Sequence, residues 1–129
     1  MIGSKYRQYL FENGSWIRLI EYLMQENTFM KNRLSEVIDQ IHDRESLAMA
    51  EHFQNQFIVK DDLFDHILYD LQKENEKWKS FRSIESDIIF NTLINIHKHL
   101  KDQLEFIEKD QSIIRRDYNT YLNSLPSSK

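Results

Sequence analysis

The stretch WIRLIEYLMQENTFMKNRLSEVIDQI, residues 16–41, decides the fold of this chain. Core-type residues recur in it at alternating steps of four and three, which is the spacing of a helix that packs one stripe against neighbouring helices. The stripe consists of Trp16, Ile20, Leu23, Asn27, Met30, Leu34, Val37 and Ile41. We therefore predict a long amphipathic helix, helix 1, over about 15–43.

The stripe changes phase after helix 1. A direct continuation would bury several polar side chains, whereas a shift of two residues recovers a mainly apolar stripe. This stripe consists of Ala50, Phe53, Phe57, Lys60, Phe64, Ile67, Leu71, Glu74 and Trp78. The shift predicts a turn at about 43–46 and a second helix, helix 2, over about 46–79. One continuous helix with a local irregularity at this point is the alternative.

A third helix, helix 3, is predicted over about 83–125. It follows a turn at 79–83, where Ser83 can cap the helix and Glu85 favours the positive end of its dipole. Two successive four-residue steps of its stripe meet at Leu100, which predicts a local irregularity in the packing. The stripe consists of Ile89, Leu93, Ile96, Leu100, Leu104, Ile107, Gln111, Ile114, Tyr118, Tyr121 and Leu125.

The N-terminal segment is predicted to be separate from helix 1. Asn13, Gly14 and Ser15 indicate a break, with Ser15 as the N-cap of helix 1. The preceding residues, about 4–12, carry apolar side chains at helical spacing and predict a short helix. The expected fold is all-α: an antiparallel bundle of three long helices with coiled-coil-like packing plus this short helix, in one domain over 1–129.

The composition agrees with a helical domain and narrows the function. Two glycines and one proline in 129 residues are far below the usual ~7% and ~5%, on which strands and tight turns depend. The absence of cysteine excludes disulfides and thiolate metal sites. Basic and acidic residues are mixed, with a net charge of −4, so we expect no nucleic-acid partner. No apolar run approaches the ~20 residues of a membrane span, and we predict a cytoplasmic protein without a membrane partner.

A polar level is predicted in the middle of the bundle. If the helices run up, down and up, Asn27 lies level with Lys60 or Asp61 and with Gln103. Such a layer reduces stability relative to leucine, but it fixes the register because slipped alignments leave polar groups unpaired. The alternative is that these side chains lie at the solvent-exposed edge of the stripe.

The same alignment predicts an interaction surface. Helices 1 and 2 would end near the level of Arg115, so that the end of helix 3 projects beyond the bundle. Contiguous exposed apolar surface marks interaction sites, and we predict a protein partner or a homodimer through the C-terminal part of helix 3. A bent helix 3 that folds back is the alternative. The projecting residues are Tyr118, Tyr121, Leu122 and Leu125.

Catalytic and metal-binding patterns are absent from the sequence. A di-metal carboxylate bundle requires inward-facing Glu-x-x-His segments on two helices. The only acid-x-x-His here is formed by Asp39 and His42, which lie outside the stripe. Asp62 and His66 share a helix face, but two ligands are too few for a transition metal. We predict no catalytic residue, no metal and no cofactor.

His97 is the histidine nearest to a stripe, and we expect it beside Leu23 and Phe64. A small-ligand or metal-binding bundle centred on His97 is the alternative function. The run HKHLK, residues 97–101, also resembles the phosphohistidine segment of phosphotransfer bundles, which share the fold class and a histidine followed by lysine. It departs from that pattern because lysine follows at two or four residues rather than three, and Asp102 would repel a phosphoryl group. A phosphotransfer-like bundle is a further alternative.

Overall fold

Three α-helices of nearly equal length make up the protein. The structure, a computed structural model, describes the backbone of residues 2–81 and 87–126, with side chains from residue 5 onward. The helices are α1 (Ile2–Ile38), α2 (Arg44–Phe81) and α3 (Asp87–Ser124), each about 55 Å long at ~1.5 Å per residue. No strand occurs in these ranges, so the all-α class is confirmed. The predicted capping residues Ser83 and Glu85 lie outside the described residues.

The predicted short N-terminal helix is wrong, because α1 runs without interruption through Asn13 and Gly14. The stripe of helix 1 continues backwards in phase, so that Asn13 occupies a core position and is fully buried. Its side-chain amide donates to the main-chain oxygen of Leu71 at 2.9 Å. Glycine in a helix interior costs about 1 kcal/mol relative to alanine, and the contacts of this turn with α2 offset that cost.

The turn between α1 and α2 lies slightly earlier than predicted, because α1 ends at Ile38 and α2 begins at Arg44. The Asp43 carboxylate accepts a hydrogen bond from the backbone N–H of Ser46 at 2.9 Å, as an N-cap does. This hydrogen bond lowers the pKa of Asp43. The alternative of one continuous helix is therefore wrong.

The predicted stripes of α1 and α2 form the core. On α2 every predicted position is buried except Lys60, which is half-buried. On α3 the stripe differs: Ile89 is 40% exposed, and His97 rather than Ile96 is buried. The predicted irregularity at Leu100 is therefore wrong, since the actual steps alternate three and four throughout. The buried positions of α3 are Phe90, Leu93, His97, Leu100, Leu104, Ile107, Gln111, Ile114, Tyr118 and Tyr121.

The contacts between helices define their directions. Asn13 contacts Glu74 and Asn27 contacts Asp61, so residue numbers rise along α1 while they fall along α2. Between α2 and α3, Glu74 contacts His97 and Lys60 forms an ion pair with Asp110, so these helices also run in opposite directions.

The position of α3 differs from the sequence prediction by about two helical turns. Lys60 lies opposite Asp110, seven residues beyond the predicted Gln103. The reason is that α2 continues to Phe81 and the described part of α3 starts at Asp87, whereas the prediction placed the turn at 79–83.

This displacement removes the predicted projecting end of α3. Tyr118 and Tyr121 are 2% and 7% exposed, and both rings pack against Phe53. The Tyr118 hydroxyl donates to the Met30 carbonyl at 2.9 Å. Leu122 and Leu125 are partly buried against the same cluster. The prediction that these four residues project is wrong, and α3 does not need to fold back to cover them.

Among the described residues, no helix combines the length and the apolar character that a membrane crossing requires.

Candidate functional site

A histidine between two carboxylates is the most unusual feature of the core. His97 on α3 is 3% exposed. Its Nδ1 lies 2.5 Å from Oε2 of Glu74 on α2, and its Nε2 lies 2.8 Å from Oε1 of Glu12 on α1. One side chain from each helix therefore meets at a single level. We call this group, with Asn13 of α1, the ionic level.

Both oxygens of the Glu74 carboxylate accept hydrogen bonds at this level. Oε1 accepts from the Asn13 amide at 2.7 Å, and Oε2 accepts from the Trp78 indole N–H at 2.7 Å as well as from His97. The Asn13 carbonyl oxygen in turn accepts from the Asn75 amide at 2.8 Å. A buried carboxylate is tolerated only when it is paired and hydrogen-bonded in this way.

Aromatic rings close the remaining sides of the imidazole. Trp16 stacks on His97 with ring centroids 4.3 Å apart, and Tyr9 packs edge-on at 4.8 Å. A cationic ring stacked on tryptophan gains a cation–π attraction that burial strengthens. The predicted neighbours of His97 were wrong because of the displaced alignment of α3.

The carboxylates determine the charge of His97. Burial lowers its pKa, but the hydrogen bonds with Glu74 and Glu12 outweigh burial, so the pKa is raised above its ordinary value. Because each ring nitrogen faces a carboxylate oxygen, the doubly protonated ring donates on both sides. The geometry therefore favours the cationic form of His97 between the two carboxylates.

A second polar level contains part of the predicted layer. The Asn27 amide donates to the Phe57 carbonyl at 2.9 Å and to the Asp61 carboxylate at 2.7 Å. Lys60 pairs with Asp110, and burial lowers the Lys60 pKa. Gln103 is not at this level, because Asp110 occupies the place opposite Lys60.

Gln111 is the α3 side chain of this second level. Its amide lies 3.4 Å from Glu26, whose carboxylate is clamped by Arg115 through two hydrogen bonds of 2.7 Å. The Oδ1 atom of Asn27 and the Oε1 atom of Gln111 are buried and accept no hydrogen bond from any described residue. The second level is therefore less completely paired than the ionic level.

The geometry gives no support to ligand binding or phosphotransfer at His97. Both ring nitrogens are engaged and the side chain is buried, so a phosphoryl group or metal ion could approach it only after the bundle opened. Nor does any group of three or more histidine and acidic side chains in the described ranges have an arrangement that could hold a metal ion. The ionic level is a structural arrangement.

The accessible apolar surface lies elsewhere, along the groove between α2 and α3. Two clefts of about 480 and 440 Å³ open there and share Lys77 and Ile96 as lining residues. Because residues seven apart share a helix face, the rows that line these clefts continue along both helices. We call the following set the α2–α3 face: Ile89, Ile96, Gln103 and Asp110; Thr92, His99, Phe106 and Ile113; Leu63, Asp70 and Lys77; Val59, His66, Lys73 and Ser80.

Large apolar side chains on this face are open to solvent. Phe106 is 66% exposed, Ile113 is 48% exposed and Val59 is 64% exposed. The contacts between α2 and α3 place Val59 level with Ile113, since Lys60 pairs with Asp110. Sequence reasoning missed this face because it assigned one stripe to each helix, although the heptad spacing of a second stripe on α3 is visible in the sequence.

Comparison with protein-family models, with curated proteins and with solved structures finds no match to this chain.

Proposed function

We propose that the chain is a non-catalytic protein-interaction or self-association module that binds its partner on the α2–α3 face. The exposed apolar row beside the two clefts supports this proposal most directly. Contiguous exposed apolar patches mark interaction sites in soluble proteins, and aromatic residues are enriched at the centres of interfaces. The cytoplasmic location predicted from the sequence is part of the proposal.

The scaffold of this module is an antiparallel bundle with coiled-coil-like packing. The unbroken alternation of three and four on the buried stripe of α3 supports it, as does the opposite course of residue numbers between contacting helices. The polar levels, including Asn27, Lys60 and Asp61, have the role of fixing the register. Partner binding then uses the middle of α3 instead of Tyr118, Tyr121, Leu122 and Leu125, which the core employs.

Site-specific photocrosslinking in the native host tests the proposal. A photoreactive phenylalanine derivative replaces Phe106 in one variant and Phe29 in a control, since Phe29 is 72% exposed on α1. We expect a defined protein adduct, identified by mass spectrometry, from position 106 and none from position 29. An adduct from position 29 alone, or no adduct from position 106, would contradict the proposal.

A further inference from the structure

The residues of α3 on the α2–α3 face are arranged symmetrically about the level of Lys101. Its two rows hold eight positions between Ile89 and Ile113. If the chain direction is reversed about Lys101, each position of one row maps onto a position of the other row. The reversal therefore exchanges the two rows. Apolar residues then map onto apolar ones, Ile89 onto Ile113 and Ile96 onto Phe106. The polar positions pair as Thr92 with Asp110 and His99 with Gln103.

Such a pattern is what an isologous interface requires. In a two-fold dimer the same patch occurs on both subunits, so residue i contacts residue j while j contacts i. Two antiparallel helices interlock when one row of each packs against the neighbouring row of the other, as the a and d rows of coiled coils do. A shift of one heptad in either direction would place Ile96 or Phe106 opposite a polar residue.

We propose that the partner is a second copy of this chain, and that two copies pack α3 antiparallel to α3 about a two-fold axis at the level of Lys101. This inference rests on the proposed function, since it names the partner of the same face. The His99 and Gln103 pairs lie next to the axis, Ile96 and Phe106 of each copy flank them as apolar contacts, and the Ile89 and Ile113 pairs lie at the ends of the interface. At the axis, Asp102 of each copy lies beside His99 of the other.

The dimensions of the face set the strength of this association. From Ile89 to Ile113 the rows extend over roughly 36 Å, and a helix surface ~10 Å wide then buries roughly 360 Å² per copy. Both copies with their α2 rows, including Val59 and Leu63, reach roughly 1,400 Å², the lower part of the range for stable interfaces. We therefore expect a reversible dimer, since an interface of this size is below the range of obligate ones.

The apolar residues on the outside of α1 do not have this symmetry. Phe11, Tyr22 and Phe29 are 71%, 58% and 72% exposed, but they are eleven and seven residues apart, so reversal of the chain does not map them onto one another. None of these three residues lines a described cleft. They serve as matched controls.

Cysteine crosslinking tests the arrangement, because the chain has no cysteine of its own. Asn95 and Lys109 are exposed and flank the α3 rows six residues before and eight residues after Lys101, so in the dimer they lie within roughly 3 Å of the same level. Asn95→Cys and Lys109→Cys, mixed with a short bismaleimide, should give a crosslinked dimer of about twice 15.7 kDa. Each variant alone should not, because like positions lie roughly 18 Å apart for Asn95 and roughly 24 Å apart for Lys109 along the helix axis. The mixture of Gln25→Cys with Lys109→Cys is the control.

Light scattering after size exclusion, over a hundredfold concentration range, provides the second readout. Phe106→Asp should weaken the dimer by roughly a hundredfold, since its ring is buried twice in the symmetric interface, while Phe29→Asp should leave it unchanged. Circular dichroism verifies that both variants retain their helices.

Different results would contradict the inference and the proposed function. A strict monomer that gives no crosslink in the mixture overturns the second-copy inference, and so does self-crosslinking of each variant alone, which requires parallel packing. If the position 106 photocrosslink nevertheless contains another protein, the proposed function stands without this inference. If position 106 gives no adduct at all, both fail.

Discussion

Glu74→Gln is the sharpest perturbation of the ionic level. Glutamine keeps the shape of the side chain, but it removes the negative charge and replaces one acceptor oxygen with an NH₂ group. The carboxylate accepts from Asn13, Trp78 and His97. Whichever way the new amide is turned, its NH₂ group faces at least one of these donors, and His97 loses one of its two counter-charges.

The expected loss of stability is large. Removal of one partner from a buried ion pair costs roughly 3–5 kcal/mol, because a charge and polar groups remain buried without compensation. A protein of this size has roughly 5–15 kcal/mol of total stability. Glu74→Gln should therefore remove a major part of the free energy of unfolding and still leave a folded protein to measure.

Urea unfolding followed by circular dichroism measures this loss. The control is Glu76→Gln, an exposed glutamate on the same helix, which should change the free energy of unfolding by less than about 0.5 kcal/mol. A lower midpoint with an unchanged urea dependence would indicate that the variant unfolds from the same compact state. A loss below about 1 kcal/mol for Glu74→Gln would refute the assignment of His97 as a cation between two carboxylates.

The pH dependence of stability provides a second check of the same reasoning. The folded pKa of His97 is raised above an unfolded value of about 6.5. Its contribution is therefore fully present below about pH 6.5 and is lost as the pH rises through the folded pKa. The wild-type free energy of unfolding should be lower at about pH 9 than at about pH 6, and this difference should shrink in Glu74→Gln. Equal wild-type stability at both pH values would contradict the ionic level.

Three further substitutions test other parts of the structure by the same urea assay. Gly14→Ala should raise the free energy of unfolding by about 0.5–1 kcal/mol, since the added methyl group meets only a side-chain atom at 3.7 Å; a decrease would contradict a continuous α1. Tyr118→Phe should lower the free energy of unfolding by about 1 kcal/mol, because it removes the hydrogen bond to Met30. Burial raises the pKa of Tyr118 to about 12, and the tyrosine that titrates there should be missing from the ultraviolet titration of the variant. Lys60→Met should change stability by less than about 1 kcal/mol because Asp110 remains partly solvated, and a loss above about 3 kcal/mol would show that this ion pair is essential.

The sequence was sufficient for the helical class and for most of the core, because heptad spacing is a strong signal when glycine and proline are scarce. It failed at Asn13 and Gly14, where local propensity indicated a break. Propensity is a weak constraint, and the contacts of Asn13 with Leu71 and Glu74 come from a helix that is distant in sequence. The sequence did contain a signal for the continuous helix, because the alternation of three- and four-residue steps in the stripe continues back through Asn13.

The alignment of α3 was not predictable from apolar spacing alone. Ile96 was preferred over His97 as a core residue, because an isolated histidine is seldom buried among apolar side chains. His97 becomes the better core residue once Glu12 and Glu74 are known to face its imidazole ring. These two residues lie on the other two helices, so their positions could not be read from the spacing on α3. The same error of alignment led to the prediction that Tyr118 and Tyr121 project beyond the bundle, which they do not.

If the two polar levels fix the register of the helices, as proposed above, they give a physical reason for the alignment that the protein adopts. Fourteen residues separate them in each helix, and a slip of α2 by seven residues would bury Glu74 and Lys60 against apolar neighbours. A slip by fourteen would bring Glu74 to the second level, opposite the acidic Asp110 of α3 and away from His97. Polar residues alone would permit such a slip, but the different charges at the two levels oppose it. The pairs that are fourteen residues apart are Asn13 and Asn27, Glu74 and Lys60, and His97 and Gln111.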